Sequence, residues 1–174
     1  MGLLCLQPAW SGGESKIVSA HAVYNEMLRR APDLLDTMYR PMPWDRNDEQ
    51  SPGEPPYFEL PPIIDIDGTP RLFFIAWYIR DSQRHAEAPR LTEQQSAALD
   101  LAERIANDPA FQIQMCFEPG DVQLLNNTTV LHSREAYVDD DDPTLRRHLL
   151  RLWLKTPTVT THELLRDGVP RQKA

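Results

Sequence analysis

One histidine and two arginines in the C-terminal part of the chain are the residues best suited to chemistry. His132 lies in the apolar run VLHSR, and Arg147 and Arg151 follow in LRRHLLRLWLK. Neutral histidine is the commonest transition-metal ligand among side chains, and an unpaired imidazole in an apolar run is unfavourable. A planar guanidinium matches a carboxylate bidentately, which lysine does not. The pattern therefore suggests an organic acid bound beside a metal ion.

The segment that holds the arginines is otherwise rich in leucine and tryptophan, which is typical of a strand. With a period of two, Arg147, Leu149, Arg151 and Trp153 share one face, and a buried guanidinium on that face needs an anion. The alternative is an internal ion pair, because the chain has 26 Asp and Glu residues. For His132 the alternative is a surface or hydrogen-bonded histidine. The residues alone leave these alternatives open.

The elements that must position these residues follow from apolar periodicity. The run GLLCL, the two halves of IIDIDGTPRLFFIAWYI around a DG turn, and the stretch from Phe111 to Val138 predict strands. A helix is predicted with Ser19 as its N-cap and an interruption at Pro32. Another follows Thr92, with Gln95 completing a capping box. Many strands with few helices predict a β-rich α+β fold, a β-sandwich or jelly roll with flanking helices.

The bulk composition excludes several classes of partner. A formal net charge of −8 argues against nucleic acid and anionic membranes, which need clustered Lys and Arg. No apolar run approaches the roughly 20 residues of a membrane-spanning helix, and the first residues lack the basic region of a signal peptide. Cys5 and Cys116 form no CxxC or zinc pattern. We therefore expect reduced, buried thiols in a cytoplasmic protein.

A proline-rich stretch from Arg40 to Pro62 predicts a long surface excursion, either over a site or poorly ordered. Trp44 and Tyr57 lie within it, and Trp77 lies in the predicted strand LFFIAWYI. These three aromatic residues are candidate walls of a substrate pocket, with a place in the core as the alternative.

The C-terminal region resembles a known enzyme family. GDVQLLNNTTVLHSREAYVDDDDPTLRRHLLRLWLK resembles the C-terminal signature of the TauD/TfdA-like (taurine dioxygenase) family of Fe(II)/2-oxoglutarate-dependent oxygenases. LLCLQPAWSGGESKIVSA resembles the segment after that family's first iron-ligand motif, and the resemblance extends to about Pro157. It implies a double-stranded β-helix, a jelly roll, and a dioxygenase that hydroxylates a small-molecule substrate. It also implies 2-oxoglutarate as co-substrate and Fe(II) held by a His-x-Asp/Glu pair and a distal histidine.

The resemblance carries roles onto particular residues. His132 matches the distal iron ligand. Arg151 matches the arginine that binds the distal carboxylate of 2-oxoglutarate, and Arg147 matches an arginine one step earlier that assists. Ser15, in GGES, stands where the family usually has a threonine that hydrogen-bonds the same carboxylate. Asn127 matches a polar residue before the distal histidine, with capping of a turn as its alternative, and no catalytic acid or base is assigned.

The remaining two iron ligands have no good match. The family's His-x-Asp pair precedes the strand that leads to GGES, and that strand begins almost at Met1. We therefore expect a family domain over residues 1–157 that is incomplete at its N-terminus, and a polar tail over residues 158–174. His85 and Glu87 have the His-x-acid form, but their charged surroundings favour a solvated loop or helix face.

Three hypotheses remain. The first is an Fe(II)/2-oxoglutarate dioxygenase whose N-terminal part is absent through a misplaced start or a truncated gene. The second is a catalytically inactive remnant that acts as a binding or interaction protein, because one histidine does not hold Fe(II) with useful affinity. The third is an unrelated α+β domain with a buried Arg–acid network. A missing strand would leave a sheet edge exposed, so we also expect either self-association into a homo-oligomer or poor solubility.

Overall fold

The computed structural model describes residues 1–154, which form two compact units. Unit 1 consists of Met1–Val23 with residues 106–154, and unit 2 consists of residues 24–105. In chain order the elements are β1 (Gly2–Gln7), β2 (Ser11–Gly12), β3 (Ser15–Ser19), α1 (Ala20–Arg30), α2 (Pro32–Thr37), β4 (Met42–Asp45), β5 (Tyr57–Leu60), β6 (Ile63–Ile66), β7 (Thr69–Leu72), α3 (Ala76–Asp81), α4 (Glu93–Ala106), β8 (Gln112–Met115), β9 (Val122–Leu124), β10 (Val130–Arg134), β11 (Tyr137–Val138) and β12 (His148–Leu152).

Unit 1 is built around two three-stranded antiparallel sheets. Sheet A has the strand order β12-β1-β9 and sheet B has the order β10-β3-β8, while β2 and β11 form a short ribbon. In sheet A, Leu3 is opposite Arg151 on one side and Gln123 on the other. In sheet B, Ile17 is opposite His132 on one side and Ile113 on the other. Directly opposed residues point to the same side, so each row shares one face of its sheet.

Unit 2 contains two hairpins, β4–β5 and β6–β7, together with α2, α3 and most of α4. Its largest fully buried side chain is Trp44, whose indole N–H donates to the carbonyl oxygen of Leu60 at 2.8 Å. The Trp44 ring also lies 4.9 Å from the ring of Phe73. The buried face of α4 consists of Ala98, Leu99, Leu101, Ala102 and Ile105, which is the spacing of an amphipathic helix.

Two predictions about unit 2 were wrong. The stretch from Arg40 to Pro62 is not one surface excursion, because β4 and β5 pair and bury Met42 and Trp44; the exposed loop is confined to residues 46–56. The predicted strand LFFIAWYI ends at Leu72, and α3 begins at Ala76. Ala76 and Ile79 are buried three residues apart, which a helix satisfies and a strand does not.

The local signals for element ends were confirmed. The Ser19 hydroxyl accepts from the Ala22 N–H at 3.3 Å, so Ser19 caps α1. The interruption also lies where predicted, since α1 ends at Arg30 and Pro32 begins α2. Thr92 and Gln95 form the reciprocal capping box of α4. The DG turn joins β6 to β7, with positive φ angles at both of its residues.

The described residues therefore have the predicted β-rich α+β character, with several small antiparallel sheets and four α-helices. Within residues 1–154, none of the helices is both long and apolar enough to cross a bilayer.

Candidate functional site

The inner faces of sheets A and B carry the residues singled out in the sequence. Arg151, Leu3 and Gln123 form one row on sheet A, and Cys5 and Leu149 form the next. The faces are turned toward each other, because the side-chain amide of Gln123 reaches Ser15 of sheet B. We refer to the space between these faces as the inter-sheet site.

His132 lies on β10, an edge strand of sheet B, directly opposite Ile17. Ser15 is two residues from Ile17 on β3, so Ser15 and His132 point to the same face. Although the residue as a whole is exposed, desolvation of the imidazole lowers the pKa of His132. The charges of Arg151 and the terminal ammonium group act in the same direction. The imidazole is therefore neutral near pH 7, which is the form that binds a metal.

The arginines are less buried than the sequence predicted. Arg151 is exposed on β12, an edge strand of sheet A, and Arg147 is half-buried just before that strand. An edge position on a three-stranded sheet leaves one side of each residue open, whereas the leucine-rich sequence suggested a fully covered strand. Arg151 shares its row with Gln123, whose side chain reaches Ser15 on the face that also carries His132, so Arg151 and His132 face the same inter-sheet site.

Arg147 packs against a glycine turn and an aromatic ring. Its Nε lies 3.4 Å from the position that a Cβ on Gly13 would take, and its guanidinium carbon lies 5.3 Å from the ring centroid of Tyr137. Its backbone N–H donates to Asp139 Oδ1 at 2.8 Å. The Arg147 side chain forms no ion pair with another residue of the described range 1–154. The alternative that Arg147 pairs with an internal Asp or Glu is therefore not found within these residues.

A cavity of about 210 Å³ opens beside Arg147 in unit 1. Its lining includes Cys5, Trp10, Gly13, Glu14, Phe117 and Arg147. Gly12 and Gly13 adopt φ angles of 70° and 79°, a region that glycine enters without strain. The cavity is smaller than the ~300–1,000 Å³ of drug-sized sites. Of the predicted site residues Arg147 lines this cavity, whereas Ser15, His132 and Arg151 do not. The cavity's size suits a small organic acid, with Arg147 as the cationic group and the Glu14 carboxylate on the same lining.

Ser15 is 5% exposed and Gln123 is 7% exposed, so both are buried polar residues. Gln123 Nε2 lies 3.3 Å from Ser15 Oγ and 3.1 Å from Met115 Sδ. Sequence reasoning selected Ser15 but missed Gln123. The available signal was a glutamine inside the apolar strand VQLL, where an amide needs a partner.

The other candidate ligands belong to unit 2. His85 belongs to unit 2, where its Nε2 lies 3.0 Å from Asp45 Oδ2; Glu87 is exposed. The same buried Asp45 carboxylate accepts from Arg84 Nε at 2.7 Å. The imidazole of His85 is thus more enclosed than predicted, and it contributes to a structural cluster of unit 2.

The three candidate aromatic walls also belong to unit 2, and the lining of the unit 1 cavity does not include them. Trp44 is in the core, whereas Trp77 is 49% exposed. Cys5 is buried as predicted, and burial raises the pKa of its thiol, but Cys116 is exposed. The Cys116 prediction was wrong because the segment between β8 and β9 lies at the surface.

Asn127 lies in the turn between β9 and β10. Its neighbour Asn126 accepts from the N–H and hydroxyl groups of Thr128, so Asn126 caps this turn. The side-chain oxygen of Asn127 is buried without a hydrogen-bond partner among the described residues. A buried acceptor of this kind is uncommon.

The described residues do not make a complete iron site. Within residues 1–154, no group of three or more His, Cys, Asp and Glu side chains is arranged to hold a metal ion. The neutral imidazole of His132 is suited to be one ligand, whereas the facial site of this chemistry uses three. Residues 158–174, predicted to be a polar tail, lie outside the described part of the chain.

Comparisons with known proteins agree with these features. The chain is 36% identical to the FR-33289 synthase of Streptomyces rubellomurinus over 154 residues, which cover 87% of this chain and 45% of that protein. It is 34% identical to the taurine hydroxylase-like protein SAT17 of Stachybotrys chartarum, over 87% of this chain and 39% of that protein. The chain thus spans less than half the length of these two relatives.

Solved structures share the fold. A crystal structure of asparagine oxygenase in complex with Fe(II), 3-hydroxyasparagine and succinate superposes on 85% of this chain and 42% of its own, with a TM-score of 0.61 and 17% identity. The family model described as "Taurine catabolism dioxygenase TauD, TfdA family" matches residues 1–153. The chain therefore belongs to the TauD/TfdA family of dioxygenases.

Proposed function

We propose that this protein is, or is part of, an Fe(II)/2-oxoglutarate-dependent dioxygenase that hydroxylates a small-molecule substrate. The proposed reaction couples oxidative decarboxylation of 2-oxoglutarate to succinate with substrate hydroxylation. The observation that carries the proposal is the Arg147 guanidinium, which lines a small cavity without an ion pair among the described residues. A half-buried cation without a counter-ion favours an anionic ligand.

The co-substrate is proposed to bind in the inter-sheet site. Arg151 holds the distal carboxylate of 2-oxoglutarate, and Arg147 and Ser15 assist. Three features support this set: the row that places Arg151 beside Leu3 and Gln123, the turn that brings Gly13 against Arg147, and the burial of the Ser15 hydroxyl. A guanidinium and a hydroxyl together match a carboxylate.

His132 is the iron ligand that we assign to this chain. Its neutral imidazole and its place on the same face as Ser15 support that role. Two further ligands must come from outside the described residues, in line with the proposal of a domain over residues 1–157 that is incomplete at its N-terminus. Iron, when bound, would supply the activation of dioxygen; the residues of this chain bind and orient the co-substrate.

The alternative is a catalytically inactive remnant that retains a binding function. The absence of a three-ligand cluster from residues 1–154 favours it. This alternative keeps the 2-oxoglutarate site and loses turnover, so the two proposals differ in a measurable way.

We also propose that the chain self-associates through the outer face of sheet A. Val122, Leu124, Leu150 and Leu152 point away from the inter-sheet site and are 62%, 67%, 49% and 61% exposed. Together they form an exposed apolar patch on one face of the sheet, and a contiguous patch of this kind marks an interaction site. Two copies packing these faces together would form a sheet-on-sheet interface.

The decisive experiment uses native protein purified from its own cells, in the cytoplasmic fraction where we expect it. Fe(II), oxygen and 2-oxoglutarate are added, and succinate and 2-oxoglutarate binding are both measured. Succinate formation supports the dioxygenase. Binding of 2-oxoglutarate without any succinate formation, including the uncoupled formation that needs no substrate, supports the remnant. Neither binding nor turnover would overturn both and leave an unrelated α+β domain. The intact mass of the same sample shows whether the cell makes a chain longer than 174 residues.

A further inference from the structure

We infer that Gln123 is a positioning residue, which holds the Ser15 hydroxyl so that it donates its proton to the carboxylate of the co-substrate. The inference rests on the proposed function, because it concerns the same inter-sheet site. It adds a residue to which neither the sequence analysis nor the family resemblance gave a role.

Gln123 is the central residue of β9 and connects the two sheets. Its backbone belongs to sheet A, where it is opposite Leu3, while its side chain reaches Ser15 and Met115 of sheet B. A buried amide without hydrogen-bond partners is unfavourable. Leucine and valine occupy the neighbouring strand positions, so packing alone does not call for glutamine here. The hydrogen bonds explain the residue type.

The amide approaches the Ser15 hydroxyl from the side. Nε2 lies 3.3 Å from Ser15 Oγ, and Oε1 lies 3.4 Å from the same atom. A hydroxyl has one proton to donate and lone pairs to accept with. Ser15 can therefore donate to Oε1 when the site is empty. When an anion arrives, the hydroxyl can turn its proton outward and still accept from the Nε2–H of Gln123.

Met115 fixes the orientation of this amide. Its sulfur lies 3.1 Å from Gln123 Nε2, and a thioether sulfur can only accept. The amino end of the amide therefore belongs on this side, with one N–H toward Met115 and the other toward Ser15. The arrangement keeps Ser15 satisfied in both states, so binding an anion does not leave a buried hydroxyl or amide without a partner.

The surroundings identify the anion as a carboxylate of a small acid. Gln123 shares its row with Arg151, with only β1 between their strands. Ser15 follows the turn in which Gly13 touches Arg147. The Ser15 hydroxyl supplies a directed donor, and the guanidinium groups of Arg151 and Arg147 supply positive charge, which together match what a carboxylate accepts.

The test is a calorimetric titration of the full chain with 2-oxoglutarate, using Gln123→Met, Ser15→Ala and the double variant. Methionine has nearly the same length and volume as glutamine but lacks its donors. We expect Gln123→Met to weaken binding about five- to tenfold, the effect of one hydrogen bond. The double variant is expected to bind no more weakly than Ser15→Ala alone, because Gln123 acts through Ser15.

Gln114→Met is the matched control, because Gln114 lies exposed on the neighbouring β8 and should leave the affinity unchanged. Additive losses in the double variant, or wild-type affinity in a folded Gln123→Met, would overturn the inference. If Gln123→Met does not fold, Ser15→Thr replaces it. That variant keeps the hydroxyl, so it should retain the affinity that Ser15→Ala loses, and equal losses in both would overturn the inference. A wild-type chain that does not bind 2-oxoglutarate contradicts the proposed function itself.

Discussion

Replacing Arg147 with methionine removes the cation that lines the cavity and keeps most of its aliphatic stem. In the described residues this guanidinium has no carboxylate partner, so the variant leaves no protein anion unpaired. Its contact with the Tyr137 ring, at 5.3 Å, is worth about 0.5–1 kcal/mol. We therefore expect the fold to survive with a small loss of stability.

The loss of binding is expected to be larger. A hydrogen bond to a charged group contributes about 1.5–3 kcal/mol, and 1.4 kcal/mol corresponds to about a tenfold change in affinity. Arg147→Met should therefore weaken 2-oxoglutarate binding by roughly 10- to 150-fold. Isothermal titration calorimetry measures the affinity, and thermal unfolding measured by circular dichroism reports the stability separately.

Arg134→Met provides a matched control. Its guanidinium carbon lies 4.2 Å from the centroid of the same Tyr137 ring, but the residue is not part of the cavity lining. This variant should lose a similar amount of stability and keep its affinity within about twofold, because exposed charges are screened. Equal affinities of wild type and Arg147→Met, in a chain that binds 2-oxoglutarate, would refute the reasoning.

Three further predictions concern stability, pH and association. Asp45→Asn should lower the free energy of unfolding by about 1–3 kcal/mol. Burial alone would raise the pKa of Asp45, but hydrogen bonds to its carboxylate outweigh the burial and hold that pKa below its usual value. Asp48→Asn removes an exposed carboxylate and should change the free energy of unfolding, measured in urea, by no more than about 0.5 kcal/mol. Hydrogen bonds from two arginines lower the pKa of Glu26 to about 2, so its contribution to stability is complete above about pH 4.5 and is lost as the pH falls toward 2. Glu26→Gln should therefore reduce the loss of helicity, measured by circular dichroism, between pH 4.5 and 2, and an unchanged loss would contradict this. Leu150→Lys should shift sedimentation toward the monomer, whereas Leu28→Lys, equally exposed at 49%, should not.

Local signals in the sequence predicted much of the fold. The caps at Ser19 and Thr92 and the helix break at Pro32 depend on residues within a few positions, so their reading did not require the tertiary structure. The predicted strand LFFIAWYI was wrong from Ala76 onward, because aromatic and branched residues favour strands, while burial of one face selected a helix.

The arrangement of the candidate site was less accessible from sequence. Gln123 and Ser15 are 108 residues apart, and their contact exists only because sheets A and B face each other. The cavity is lined by two glycines with positive φ angles, of which Gly13 lies against Arg147, and no periodicity reveals this turn. The exposure of Arg151 follows from the edge position of β12, a property of strand order rather than of composition.

We propose above all that the inter-sheet site of this chain binds a small dicarboxylate. The most direct measurement is a calorimetric titration of the wild-type chain with 2-oxoglutarate and, in parallel, with its uncharged dimethyl ester. We predict saturable binding of one 2-oxoglutarate per chain and no binding of the ester, because the guanidinium groups recognise the carboxylates. Absence of binding, or equal affinity for the acid and the ester, would contradict the claim.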